Sequence, residues 1–139
     1  MIQELMGSGL VLIAGLLVLR WARISREGTL PRNRLLGYRT TLTLRNHDAW
    51  IVVHRAAAPC LTVAGLGLVA GAIGSAILIL LGTARVPTII LGSSVVWLLG
   101  WVLIGLVPAA RAAKRFTLEH PGSQPRDAGP GPGTRAAHD

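Results

Sequence analysis

The chain is poor in the residues on which chemistry usually rests. Its single cysteine, Cys60, has no partner for an intrachain disulfide and cannot build a thiolate metal cluster. It stands at the start of an apolar run, where a thiol reads as a small buried hydrophobe. Acidic residues number six against fourteen Lys and Arg, and no two of them form a pair suited to acid–base work. Charged residues are only 14% of the 139, against roughly 25% in soluble domains. Aromatic residues are 4%, yet 51% of the chain is hydrophobic and gathered in unbroken blocks. That pattern predicts a membrane protein. The net charge of +8 raises nucleic acid as a partner. The arginines, however, flank apolar blocks, and no nucleic-acid-binding module signature occurs, so the reading is no direct nucleic-acid contact.

Three blocks fit membrane helices. Residues 5–19 carry no charge. Arg20 and Trp21 extend that stretch, because a long stem can lie along lipid while its head reaches the interface. Glu4 occupies the place of a positive n-region and no A-x-A-like site precedes Arg20, so a retained helix is expected instead of a cleaved signal. Residues 56–84 form an uncharged block of 29, longer than the roughly 20 residues a span requires. Residues 86–110 give a third block of 25, with Pro87 suited to a first helical turn. Pro108, Arg111, Lys114 and Arg115 mark its end. The spans are placed at about 5–22, 57–82 and 87–109. The expected fold is thus an all-α membrane protein of three transmembrane helices forming one unit over 1–116. A Pro- and Gly-rich tail over 117–139 is expected to be disordered, with His120 and His138 solvated.

Charge sets the expected orientation. Residues 20–55 hold eight arginines, and the region after Ala110 holds five basic residues. The stretch before the first span has only Glu4, and the second connection only Arg85. The positive-inside rule then places the N-terminus outside, the segment 23–56 in the cytoplasm and the C-terminus inside, in a multi-pass cytoplasmic-membrane protein. Ala64, Gly67, Gly71 and Gly74 recur at spacings of three and four along the second span. Small residues let helix backbones approach in lipid. Packing against the other two helices is the simpler use of this stripe, and a homo-oligomer face is the other.

The segment 33–55, expected as a basic cytoplasmic loop leading at Asn46 into a helix entrance, holds the rest of the polar vocabulary. Asn46 is expected to cap the helix that enters the second span, with Asp48 in its first turn. Trp50 and His54 lie one turn apart, as do Ile51 and Arg55. Trp50 is read either as an interfacial anchor or as a residue packed over Gly37, Tyr38 and Arg39, and Arg39 is placed within reach of Asp48. His47 and His54 are about 10 Å apart along a helix, too far to share a metal. No paired carboxylate, nucleophile elbow or phosphate-binding glycine loop is present, and the three uncharged blocks carry no ionisable side chain apart from Cys60. No cofactor and no enzymatic activity are expected.

The residues Asn33-Arg-Leu-Leu-Gly37-Tyr38-Arg39-Thr40, followed by Arg45-Asn-His-Asp48-Ala-Trp50 and His54-Arg55, resemble the signature of the SdpI-type immunity proteins. Thr41 departs from that signature, where a proline is frequent. The resemblance implies an integral membrane protein without a cofactor. It further implies a role in bacterial self-protection against a secreted toxic peptide, or in sensing one. It marks Asn33, Gly37, Tyr38, Arg39, Thr40, Asp48, Trp50, His54 and Arg55 as the positions through which such a peptide or a cytoplasmic regulator would act. The competing expectation is a structural or accessory subunit of a larger membrane complex.

Overall fold

The computed structural model describes residues 2–31, 38, 40–82 and 86–121. Within them the chain is helical: α1 (Ile2–Glu27), α2 (Thr41–Arg45), α3 (His47–Leu80) and α4 (Val86–Glu119). Three of these, α1, α3 and α4, are long and apolar enough to cross a membrane. The protein is a multi-pass membrane protein. Helix α3 is the centre of the bundle. It packs along both α1 and α4, which scarcely meet each other.

Each long helix overruns its apolar block. At about 1.5 Å per residue, the 34 residues of α3 and of α4 each extend roughly 50 Å, against about 30 Å of hydrocarbon. The surplus gathers at one end of the bundle, where α1 finishes, α3 begins and α4 finishes. Asn46 caps α3 as expected: its Oδ1 accepts from the backbone N–H groups of Asp48 at 2.9 Å and Ala49 at 3.3 Å. From there α3 runs through Pro59 without a break.

Two expectations need correction. Pro108 and the basic residues after it close the apolar block but not the helix, which continues to Glu119. The tail therefore does not begin at 117. Phe116 is buried, the Thr117 hydroxyl donates to Ala113 O, and His120 stacks on Phe116 with ring centroids 4.5 Å apart. Contacts one turn apart hold this last stretch in register. Residues 122–139 lie outside the described residues. The second correction is α2, a short helix where only loop was expected. Thr40 and Thr43 cap each other reciprocally, side chain to backbone N–H in both directions.

The far end of the bundle is joined by hydroxyls. Ser8 Oγ of α1 lies 3.1 Å from Ser75 Oγ of α3, and Ser75 Oγ is 3.5 Å from Pro87 O of α4. Ser93 and Ser94 bond back to Ile90 O, the local use expected of serine in an apolar helix. The lipid-facing sides of α1 and α4 carry large exposed side chains such as Leu10, Leu17, Ile89, Val96 and Leu103. Water would not tolerate so much exposed apolar surface; lipid does.

Candidate functional site

The polar end is built on the first three turns of α3. Helix α1 ends at Gly28, whose φ of +75° is a left-handed value natural to glycine at a helix C-terminus. The Arg55 guanidinium reaches this terminus. Its Nε donates to Arg26 O at 3.0 Å and its Nη2 donates to Glu27 O at 3.4 Å. A cation among the last carbonyls of a helix satisfies them and meets the negative end of the dipole. A Cβ at Gly28 would stand 2.7 Å from Arg55 Nη2, so space as well as φ favours glycine here.

One turn earlier, Trp50 is 1% exposed. Its Nε1 donates to Leu30 O at 3.2 Å, and its ring lies 4.0 Å from that of His54, tilted by 35°. Trp50 is therefore a buried tie between α3 and the chain leaving α1, not an anchor exposed to the interface. Beside its ring a recess of about 350 Å³ opens between α1 and Pro31, walled by Leu17, Trp21 and Ile24.

His54 is buried just ahead of the 56–84 apolar block, and its hydrogen bonds identify its protonation state. The backbone N–H of Tyr38 donates to Nε2 at 3.2 Å, so Nε2 carries the lone pair. Nδ1, 2.8 Å from Trp50 O, then holds the proton and donates it. The ring is neutral. Burial pushes its pKa below the ordinary value of 6.5, opposed by the bond to Trp50 O. The sign follows from linkage. A base with a lowered native pKa supports the fold above its unfolded pKa, and that support is lost as pH falls through the native one. Protonating Nε2 would set an N–H against the Tyr38 N–H.

Tyr38 continues the chain of contacts toward α4. Its ring meets His54 edge-on at 5.8 Å, and its hydroxyl donates to Val102 O at 3.4 Å. Gly105 leaves room for it: a Cβ there would lie 3.0 Å from the Tyr38 hydroxyl. Val53, Ala57 and Ala109 form the apolar base against which Tyr38 packs. Thr43, fully buried, donates from its hydroxyl to Tyr38 O at 2.8 Å. Leu30, Trp50, His54, Tyr38 and Thr43 thus make one hydrogen-bonded and stacked column that ties the polar segment to α3.

The structure brings Tyr38, Trp50, His54 and Arg55 of the expected set together, with Thr40 held beside them through Thr43. Asp48 stands exposed in the first turn of α3, away from this column. Asn33, Gly37 and Arg39 lie outside the described residues, and with them the proposed approach of Arg39 to Asp48. Thr43 was not among the expected residues. A threonine three positions after a threonine is a usable capping signal, although Glu or Gln is the usual third residue. Among the described residues no three His, Cys, Asp or Glu side chains converge as a metal site would require.

In the stripe, Ala64 is fully buried and Gly67 and Gly71 face α4. The indole of Trp97 fills the place a Cβ would take at Gly67, and the Ser94 hydroxyl does so at Gly71. Gly74 faces open space. The glycines that bring α1 against α3 are others, Gly15 and Gly65.

Comparisons with curated proteins and with solved structures give no match. The profile of the SdpI/YfhL protein family matches residues 29–110, more than half of the chain. The match begins immediately after the Gly28 turn and covers α2, all of α3 and the apolar length of α4. By that match the chain belongs to the SdpI/YfhL protein family.

Proposed function

We propose that this protein is an integral membrane immunity or signalling protein that protects against a secreted toxic peptide or senses one. The family match over 29–110 carries the reading, because it takes in the whole segment that the Trp50–His54–Tyr38 column ties to the helices. The arginine distribution supports a cytoplasmic polar end, with the N-terminus outside and the C-terminus inside, in a bacterial cytoplasmic membrane. A cytoplasmic regulator, or the peptide itself, would meet exposed signature positions such as Asp48. The buried Trp50 and His54 hold those positions in place.

Protection is tested by expressing the chain in a bacterium killed by candidate peptides and measuring survival. Rescue from at least one peptide is expected. Arg39→Ala and Asp48→Ala should reduce it while membrane insertion, read by protease accessibility, is unchanged. Unchanged killing by every peptide, together with no change in a peptide-responsive reporter, overturns the reading. The accessory-subunit alternative drew on the small-residue stripe. Since α4 occupies Gly67 and Gly71 within the chain, only Gly74 is left to support it.

A further inference from the structure

Between the start of α3 and the end of α4 the helices part to leave a groove of about 570 Å³. Its floor is apolar, formed by Val52, Ala56, Pro108, Ala112 and Phe116. Its rim is charged: Arg55, Arg111 and Arg115 line it, against one carboxylate, Glu119. The groove straddles the boundary where the uncharged blocks 56–84 and 86–110 end and charge begins. That boundary is the depth of lipid headgroups. Arg111 and Arg115 are one helical turn apart, exposed, and make no hydrogen bond or ion pair with another described residue. Arg55 also lines the groove, but its Nε and Nη2 donate to the end of α1, so the uncommitted cations among the described rim residues are Arg111 and Arg115.

We propose that this groove binds an anionic phospholipid, its phosphodiester between Arg111 and Arg115 and an acyl chain along Ala56, Pro108 and Ala112. Two uncommitted guanidinium groups, with the charge of Arg55 beside them and one carboxylate opposite, give a positive site for a group of formal charge minus one, and guanidinium matches phosphate oxygens by paired N–H donation. The apolar floor distinguishes a lipid from a soluble phosphate. A free anion would leave Val52, Ala56 and Ala112 uncovered, whereas a lipid tail covers them. A basic recess between membrane helices at the headgroup level is the general form of such a site. The inference needs only that the protein spans a membrane and stands apart from the immunity reading.

The full chain, purified in nonionic detergent, is titrated with phosphatidylglycerol or phosphatidylcholine, and retained lipid is counted by native mass spectrometry. One phosphatidylglycerol per chain is expected to remain where phosphatidylcholine is lost. Arg111→Gln with Arg115→Gln should weaken retention by about 30-fold, the scale of two basic contacts at a membrane surface. Arg20→Gln with Arg45→Gln removes the same charge from the same end outside the groove, and should change retention by less than about threefold at moderate salt. Ala112→Leu keeps every charge and fills the floor; retention should fall with it as well. All four arginines are exposed, so circular dichroism of both double variants should match the parent. Three results would each overturn the proposal: equal loss in the two charge pairs, full retention in the Arg111/Arg115 pair, or displacement of the lipid by millimolar inorganic phosphate.

Discussion

Against α1, helix α3 presents Gly65 to a side chain and a backbone together; against α4 it presents Gly67 and Gly71 to side chains alone. A Cβ at Gly65 would lie 2.8 Å from Leu19 Cγ and 3.1 Å from Leu19 N, and one at Gly15 would lie 2.9 Å from Val69 Cγ2 and 3.1 Å from Val69 N. Each glycine thus brings the main chain of the other helix near as well as a side chain, and a rotamer change alone does not make room there. On the α4 side the neighbours are the Trp97 indole and the Ser94 hydroxyl, ends of side chains with rotamers to spare. Trp97 is 44% exposed, and its Nε1 donates to Val63 O at 3.3 Å, so the ring is a lid over the Gly67 notch. The same residue type therefore serves two kinds of seam. One is a close approach of rods, the other a socket for a side chain. Packing is the main attraction between helices in lipid, so the two seams should differ in how they fail.

Gly65→Leu has the largest expected effect. It forces α1 away from α3, with a loss of about 3 kcal/mol or more, as for an overfilled core with no room to relax. The readout is the midpoint of detergent-induced loss of helicity; a shift no larger than that of a notch substitution would erase the distinction between seams. Gly67→Ala is smaller. The indole swings toward lipid and its bond to Val63 O is lost, for about 1 kcal/mol, and tryptophan emission changes with it. If emission stays constant while the midpoint falls, the notch is closed by backbone movement instead. Ser25→Ala should be the smallest. Ser25 is fully buried on α1, yet its Oγ has no hydrogen-bond partner among the described residues. Removing it should leave the midpoint within about 0.5 kcal/mol of the parent, on the stabilising side. A clear loss would mean that the hydroxyl has a partner.

What the sequence disclosed was mostly local or compositional. The three spans followed from uninterrupted apolar length, and the Asn46 cap from a side chain and two N–H groups within three residues. The stripe on α3 was visible, but periodicity along one helix does not say which neighbour covers it. Gly65, one position off the stripe, faces α1. Its counterpart was also present in the sequence: Ser8, Gly15 and Ala22 are small, buried and seven apart on α1. A heptad of small residues on a span is a packing face, and this one passed unread beside the more obvious glycines. The polar column was legible as a set of residues but not as a structure. The partners of His54 are a backbone N–H sixteen residues upstream and a carbonyl one turn back. No rule of spacing supplies the first. Trp50 stayed open for a related reason: depth along the helix suited an anchor or a packed residue alike, and its tie to Leu30 O crosses twenty residues.

The Arg55 clamp also bears on the order in which the protein is made. Glu27 leaves the ribosome 28 residues before the arginine that closes over its carbonyl. During that interval the end of α1 can be satisfied only by water, which keeps it at the aqueous surface. Once α3 enters beside α1, the guanidinium replaces that water and joins the two helices from outside the lipid. The clamp forms late and belongs only to the assembled pair, so its loss would show first in newly made chains, whose α1 is inserted but still unpaired.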